Sequence, residues 1–176
     1  REAKRLLARA KEELAARGIP FRPHIPVGIM VEVPSAALTV GQLAGEVDFL
    51  SIGTNDLVQY SLAVDRVNQR VAHLYQPGSP AIMHLLRHII AVAQKLSKGV
   101  CVCGEMSADL RFVLLLLGLG LREYSVAPLA APLVKHIVRS VSLAEAEAIA
   151  EKTRAMDTAE KCEAFKIGRA SCRERV

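Results

Sequence analysis

Short apolar runs alternate along this chain with longer stretches in which apolar residues recur every three or four positions. The clearest run, VGIMVEV at 27–33, is nearly continuous and predicts a strand buried on both faces, closed by Pro34. Runs at 47–52 and 100–103 and a weaker one at 123–126 predict three more strands. Helical spacing fills the gaps. Leu6, Leu7, Ala10 and Leu14 mark a helix over 1–17 that Gly18 stops, and Pro20, Pro23 and Pro26 exclude a helix in the connection that follows. Ser35 is a candidate cap for a helix running to Gly45. Leu57, Tyr60, Leu62 and Val64 mark a short helix, and an irregular segment follows it. Ser79 and Pro80 open a long helix to about Lys98, which Gly99 stops. Further helices are predicted over 108–117 and 128–140 and from Ser142 onward, where Ser142 and Glu145 match a capping box.

Four strand-then-helix units at these spacings suit right-handed parallel connections, so the chain reads as α/β. A closed eightfold barrel needs roughly 250 residues, and this chain has 176. Half of such a barrel, or an open four-stranded sheet with helices on both faces, fits the count. The composition agrees: 51% of residues are hydrophobic but only 4% aromatic, which favours a core of Leu, Val, Ile and Ala.

The net charge of +5 first suggests a nucleic-acid surface, but its location argues otherwise. Lys166, Arg169, Arg173 and Arg175 against Glu174 place much of it in the last eleven residues, and no predicted helix carries a one-sided basic stripe. No partner nucleic acid is expected. The longest apolar run, 113–117, is too short to cross a bilayer, and no apolar signal core follows the first residues, so a cytoplasmic location without membrane insertion is expected. Cys101, Cys103, Cys162 and Cys172 match no zinc spacing and read as reduced thiols. The chain does not begin with Met, which suggests an internal piece of something longer. Residues 167–176 resemble the in-frame translation of a sequencing adapter, so 1–166 is taken as the natural sequence and the tail as artefactual.

Candidate chemistry gathers at the carboxyl ends of the predicted strands, where parallel α/β folds bind ligands. Glu32 sits near the end of the first, and Asn55 and Asp56 just past the second, after Gly53. Cys103 and Glu105 close the third, and Ser125 is near the end of the fourth. A carboxylate within Val, Ile and Met needs a cation, either a metal or a structural Lys or Arg. Thr54, Asn55 and Asp56 suit ligand binding or plain helix capping. Cys103 suits a small core residue or a reactive thiol beside Gly104. Arg66 reads as one specific anion contact or a surface ion pair. His84 and His88 lack the Glu of a zinc-protease motif, and His73 lies in the irregular segment.

Five stretches in order, 28–34 (GIMVEVP), 51–57 (SIGTNDL), 63–66 (AVDR), 73–77 (HLYQP) and 103–105 (CGE), closely resemble the carboxyl-terminal part of enzyme I of the bacterial sugar phosphotransferase system, the phosphoenolpyruvate–protein phosphotransferases. The resemblance covers nearly all of 1–165. It implies the C-terminal half of a phosphoenolpyruvate-binding (β/α)8 TIM barrel, four parallel strands with their helices. It implies that Glu32 and Asp56 bind Mg2+, that Asn55 contacts the substrate together with Asp56, that Arg66 binds its phosphate, and that Cys103 protonates the enolpyruvate carbon to give pyruvate. It further implies a homodimer and a phosphocarrier protein as acceptor, reached through a phosphohistidine domain that this chain does not contain. On that footing the fragment should not turn over phosphoenolpyruvate alone, and an open half barrel should expose its interior and two sheet edges. Val67, Val33 and Cys101 depart from the family's usual glycine, threonine and single thiol. Pyruvate phosphate dikinases and phosphoenolpyruvate synthases share the carboxylate and TND elements and are the alternative, and a non-catalytic dimerisation fragment is a third reading.

Overall fold

The computed structural model describes residues 1–164, with side chains to Lys161; the 167–176 tail lies outside the described residues. Four strands form one sheet: β1 (Ile29–Val31), β2 (Phe49–Gly53), β3 (Gly99–Cys103) and β4 (Glu123–Tyr124). The order is β1-β2-β3-β4 and every pairing is parallel. Helix α1 (Glu2–Ala16) precedes the sheet. Two short helices, α2 (Pro34–Leu38) and α3 (Val40–Ala44), join β1 to β2, and α4 (Thr54–Leu62) and α5 (Pro80–Lys95) join β2 to β3. Helix α6 (Leu110–Gly118) leads into β4, and α7 (Ala131–Arg139), α8 (Leu143–Thr153) and α9 (Ala159–Ala164) follow it.

The register places Met30, Ser51, Cys101 and Glu123 on one rung, so their side chains share a face. The opposite face carries Val31, Leu50, Ile52, Val100 and Val102, all buried under the helices. Helix α5 supplies the largest share of that cover through Ile82, Leu86, Ile89 and Ile90, none of which is exposed. Burying each such side chain stabilises the fold by roughly 1.5–3 kcal/mol. The other face is open: Met30 is 50% exposed and Phe49 39%. A sheet covered on one side only is the half-barrel arrangement, not the two-sided open sheet. Four parallel strands with their helices on one side make the arrangement of half a TIM barrel.

Several sequence expectations need correction. The first strand is not buried on both faces, because nothing opposes its inward side, and it pairs over Ile29–Val31 rather than 27–33. The fourth strand pairs over two residues only, since it is an edge. The helix expected from Ser35 to Gly45 is broken at Thr39, whose hydroxyl donates back to the Ser35 carbonyl at 2.8 Å. Its N-cap is Val33, with Pro34 in the first turn, so Ser35 does not cap it. The Ser142–Glu145 capping box is present in full. No helix among the described residues is long and apolar enough to cross a membrane.

A second, smaller core holds Val113, Leu114 and Leu117 of α6 against α7 and α8. Helices α6 and α8 approach most closely at Gly118, where a β-carbon would overlap the backbone carbonyl of Ala146. Alanine would favour the helix by about 1 kcal/mol. Forcing α8 outward costs about 1–3 kcal/mol or more and decides the sign. Gly118→Ala is therefore expected to lower stability by about 1–2 kcal/mol, read as a lower urea midpoint at unchanged m-value; an equal or higher midpoint would contradict the packing described.

Candidate active site

The site is built where β2 hands over to α4. The three polar residues after Gly53 were open to a plain capping role, but no side chain caps α4. Thr54 instead donates its hydroxyl to the Cys103 carbonyl at 2.8 Å, and Asn55 Oδ1 accepts the Glu105 backbone N–H at 3.0 Å. Both side chains join the end of β2 to the end of β3. Gly104 lies under this clasp at φ +94°, where a β-carbon would sit 2.5 Å from Thr54 Oγ1 and 2.8 Å from Asn55 Oδ1. Only glycine meets both demands.

Cys103 is a free, half-buried thiol on the open face of the sheet. Its sulfur lies 3.4 Å from the Ile52 carbonyl oxygen and 3.7 Å from Ser51 Oγ. Together with Asn55, Gly104, Glu105, Ser107 and Ser125 it lines an open cavity of about 880 Å3. Asn55, Cys103, Glu105 and Ser125, from the ends of the second, third and fourth strands, thus line one cavity.

Arg66 reaches the same region from the loop after α4. Its backbone N–H donates to Gln59 Oε1 at 3.2 Å, and its guanidinium lies 3.4 Å from Glu105 Oε1. Arg66, Asn55, Tyr75 and Glu105 line an adjoining cavity of about 430 Å3. The Arg66–Glu105 pair is largely solvated on the glutamate side and holds the arginine weakly. Tyr75 donates to the Asn55 carbonyl at 3.4 Å. Burial raises the pKa of that phenol, the Glu105 charge adds to the rise, Arg66 opposes it and Asp56 adds again, so the phenol stays protonated at neutral pH. Val67, the departure beside Arg66, is 80% exposed, and its N–H is held by Asp65 Oδ1 at 3.0 Å. It lines the same cavity as Arg66.

Glu32 leans over Gly53. A β-carbon on that glycine would lie 2.7 Å from Glu32 Oε2, so the carboxylate occupies room that only glycine leaves. Glu32 has no hydrogen bond or ion pair among the described residues, so the structural lysine or arginine that it was open to is not there. Asp56, in the first turn of α4, likewise has no partner among them. Neither lines the two cavities just described. Among the described residues no group of three or more His, Cys, Asp and Glu assembles to hold a metal ion. Each carboxylate is by itself the hard-oxygen type of donor that Mg2+ takes.

Sequence reasoning passed over Ser51, Tyr75 and Ser107 as site residues. For Ser51 a signal existed: a hydroxyl two residues before Gly53 shares the open face with the cysteines of the next strand. Tyr75 lies in the HLYQP stretch that carries the resemblance, and Ser107 had no local signal. His73 lines none of these cavities, and His84 and His88 sit on α5, half-buried or exposed.

Comparison with known proteins matches residues 1–143 to the family described as PEP-utilising enzyme, PEP-binding domain. The phosphoenolpyruvate-protein phosphotransferase of Bacillus subtilis (strain 168) is 46% identical over 165 residues, which cover 94% of this chain and 29% of that protein. The protein of the same name from Haemophilus influenzae is 43% identical, over 90% of this chain and 28% of its own length. That of Lactococcus lactis subsp. cremoris is 41% identical, over 86% and 26%. The chain thus spans less than a third of the relatives it matches. With the family match running through all four strands and every residue of the site, the chain belongs to the PEP-utilising enzymes, as a part of their PEP-binding domain.

Proposed function

We propose that this chain is the metal-holding, proton-donating half of the active site of a Mg2+-dependent phosphotransferase of the enzyme I kind, which moves the phosphoryl group of phosphoenolpyruvate to a protein histidine. The convergence of Asn55, Cys103, Glu105 and Arg66 on adjoining cavities is the observation that carries the reading. The relatives' shared name supports a protein as acceptor.

On this reading Arg66 leaves Glu105 and binds the phosphate, a dianion that a planar guanidinium suits better than one solvated carboxylate. Asn55 orients the substrate with its amide. Glu32 and Asp56 would hold a Mg2+, which when bound offsets negative charge on substrate oxygens. As the phosphoryl group departs, the enolate keeps the electron pair of the broken O–P bond. The Cys103 S–H bond then breaks, its proton forms a C–H bond at the methylene carbon, and pyruvate results with a thiolate left behind. The accepting histidine lies in a part of the relatives outside this chain, as does the surface that meets a phosphocarrier protein. A cytoplasmic homodimer is part of the same proposal.

The test uses the complete protein that contains this chain, with pyruvate release followed by a lactate dehydrogenase couple. Cys103→Ala is expected to lower kcat by about 10²–10⁴ with little change in KM, and the 176 residues alone are expected to release none. Loss of less than about twofold would remove Cys103 from the chemistry. Calorimetry of Mg2+ binding gives an independent check. Glu32→Gln and Asp56→Asn are each expected to weaken it by at least about tenfold; unchanged affinity in both would leave a non-catalytic scaffold as the better description.

A further inference from the structure

We propose that Gln59 is a positioning residue for Arg66: its side chain holds the turn after α4 closed and so presents the guanidinium to the phosphate of the substrate. The inference rests on the reading of Arg66 as the phosphate-binding group. Among the described residues Arg66 makes two polar contacts. One is the pairing of its guanidinium with Glu105 at 3.4 Å, which is loose and opens when a phosphate takes the place of the carboxylate. The other is the backbone N–H donated to Gln59 Oε1 at 3.2 Å, which a bound phosphate leaves in place. Once Glu105 lets go, that bond is the polar contact that still locates the arginine.

Gln59 grips the turn twice. Its backbone carbonyl accepts the Val64 N–H at 3.0 Å and also the N–H of Ala63, which ends α4 in the left-handed region at φ +53°. A β-carbon disfavours that conformation, so the turn needs bonds that outweigh it. The side chain then reaches past Ala63 to Arg66, seven positions on. The amide presents its oxygen there, since its nitrogen cannot accept a hydrogen bond. Between the two, Val64 is buried, and beyond them Asp65 Oδ1 accepts the Val67 N–H at 3.0 Å. The helix itself is seated on the core through Leu57 and Val58, neither of which is exposed. The backbone on both sides of Arg66 is thus pinned, while its side chain is held weakly. A mobile side chain on a fixed backbone can exchange Glu105 for a phosphate without searching for its place, and freeing the backbone adds that search to the cost of binding. The helix that opens with Asn55 and Asp56 thereby sets the place of Arg66 as well.

The test measures pyruvate release against phosphoenolpyruvate concentration in the complete protein that contains this chain. Gln59→Met keeps the length and the helix propensity of the side chain but removes the oxygen acceptor. It is expected to raise KM about tenfold with kcat changed by less than about threefold. Gln59→Ala covers any misfolding of the methionine variant and should show the same rise. Gln59→Glu keeps an oxygen at the same reach and should stay within about threefold of the parent KM. In an Arg66→Ala background Gln59→Met should add less than about twofold, because no guanidinium is left to aim. A full tenfold rise in that background, or a parent KM in both the methionine and the alanine variants, would overturn the proposal. If Arg66→Ala alone leaves KM unchanged, the phosphate-binding reading of Arg66 fails and this inference falls with it.

Discussion

Hydrogen bonds between the end of β2 and the end of β3 hold this site in shape. Thr54 holds the Cys103 carbonyl, Asn55 holds the Glu105 N–H, and the Cys103 sulfur meets Ser51 and the Ile52 carbonyl. Ser107 extends the tie, its hydroxyl lying 2.6 Å from the Gly104 oxygen and 2.9 Å from the Ser125 oxygen at the end of β4. Each such bond adds only about 0.5–1.5 kcal/mol to stability. Their larger effect is geometric, because a reacting group misplaced by about 1 Å can cost on the order of a hundredfold in rate. Gly104 is the condition for all of it, since a β-carbon there would strike both Thr54 and Asn55.

The clasp works because the sheet has two unlike faces. The face under α5 is sealed with Leu50, Ile52, Val100 and Val102, which fixes the strands in register. The other face carries small or reactive side chains, and Ser51, Cys101 and Cys103 on it remain partly accessible. The sealed face supplies the stability, leaving the open one free to be shaped for ligands. Met30 and Phe49 are the exceptions on the open side, large apolar groups left half in water. Such groups ordinarily lie in a barrel's packed interior.

How much of this was legible in the sequence follows from the range of the forces involved. Strand count and most of the helices came from local patterning, because apolar periodicity reports directly on which side of an element is buried, and parallel order came from the spacing of the strand–helix units; the break at Thr39 did not show. The extents of β1 and β4 did not, because edge pairing depends on neighbours that the local pattern does not contain. Thr54 shows the limit most clearly. Its position after a glycine at a helix start is that of a cap, yet its hydroxyl crosses to a residue 49 positions away. Glu32 shows the opposite case. A single charge in an apolar run announces an unmet need from sequence alone, and the side chain is indeed unpartnered among the described residues.

That unmet need belongs to a pattern with a direction. At the amino ends of the strands polar groups are satisfied: Asp48 accepts the Val27 N–H at 2.7 Å, and Lys98 Nζ donates to the Val47 carbonyl at 2.6 Å. At the carboxyl ends several charged ones are not. Glu32 and Asp56 lack partners among the described residues, and Arg66 has a loose one. A chain under demand for stability alone would replace Glu32 with an apolar residue and recover the cost of holding an unpaired charge at the edge of a core. Local rules broken at one end of a sheet and kept at the other suit the ligand site proposed above.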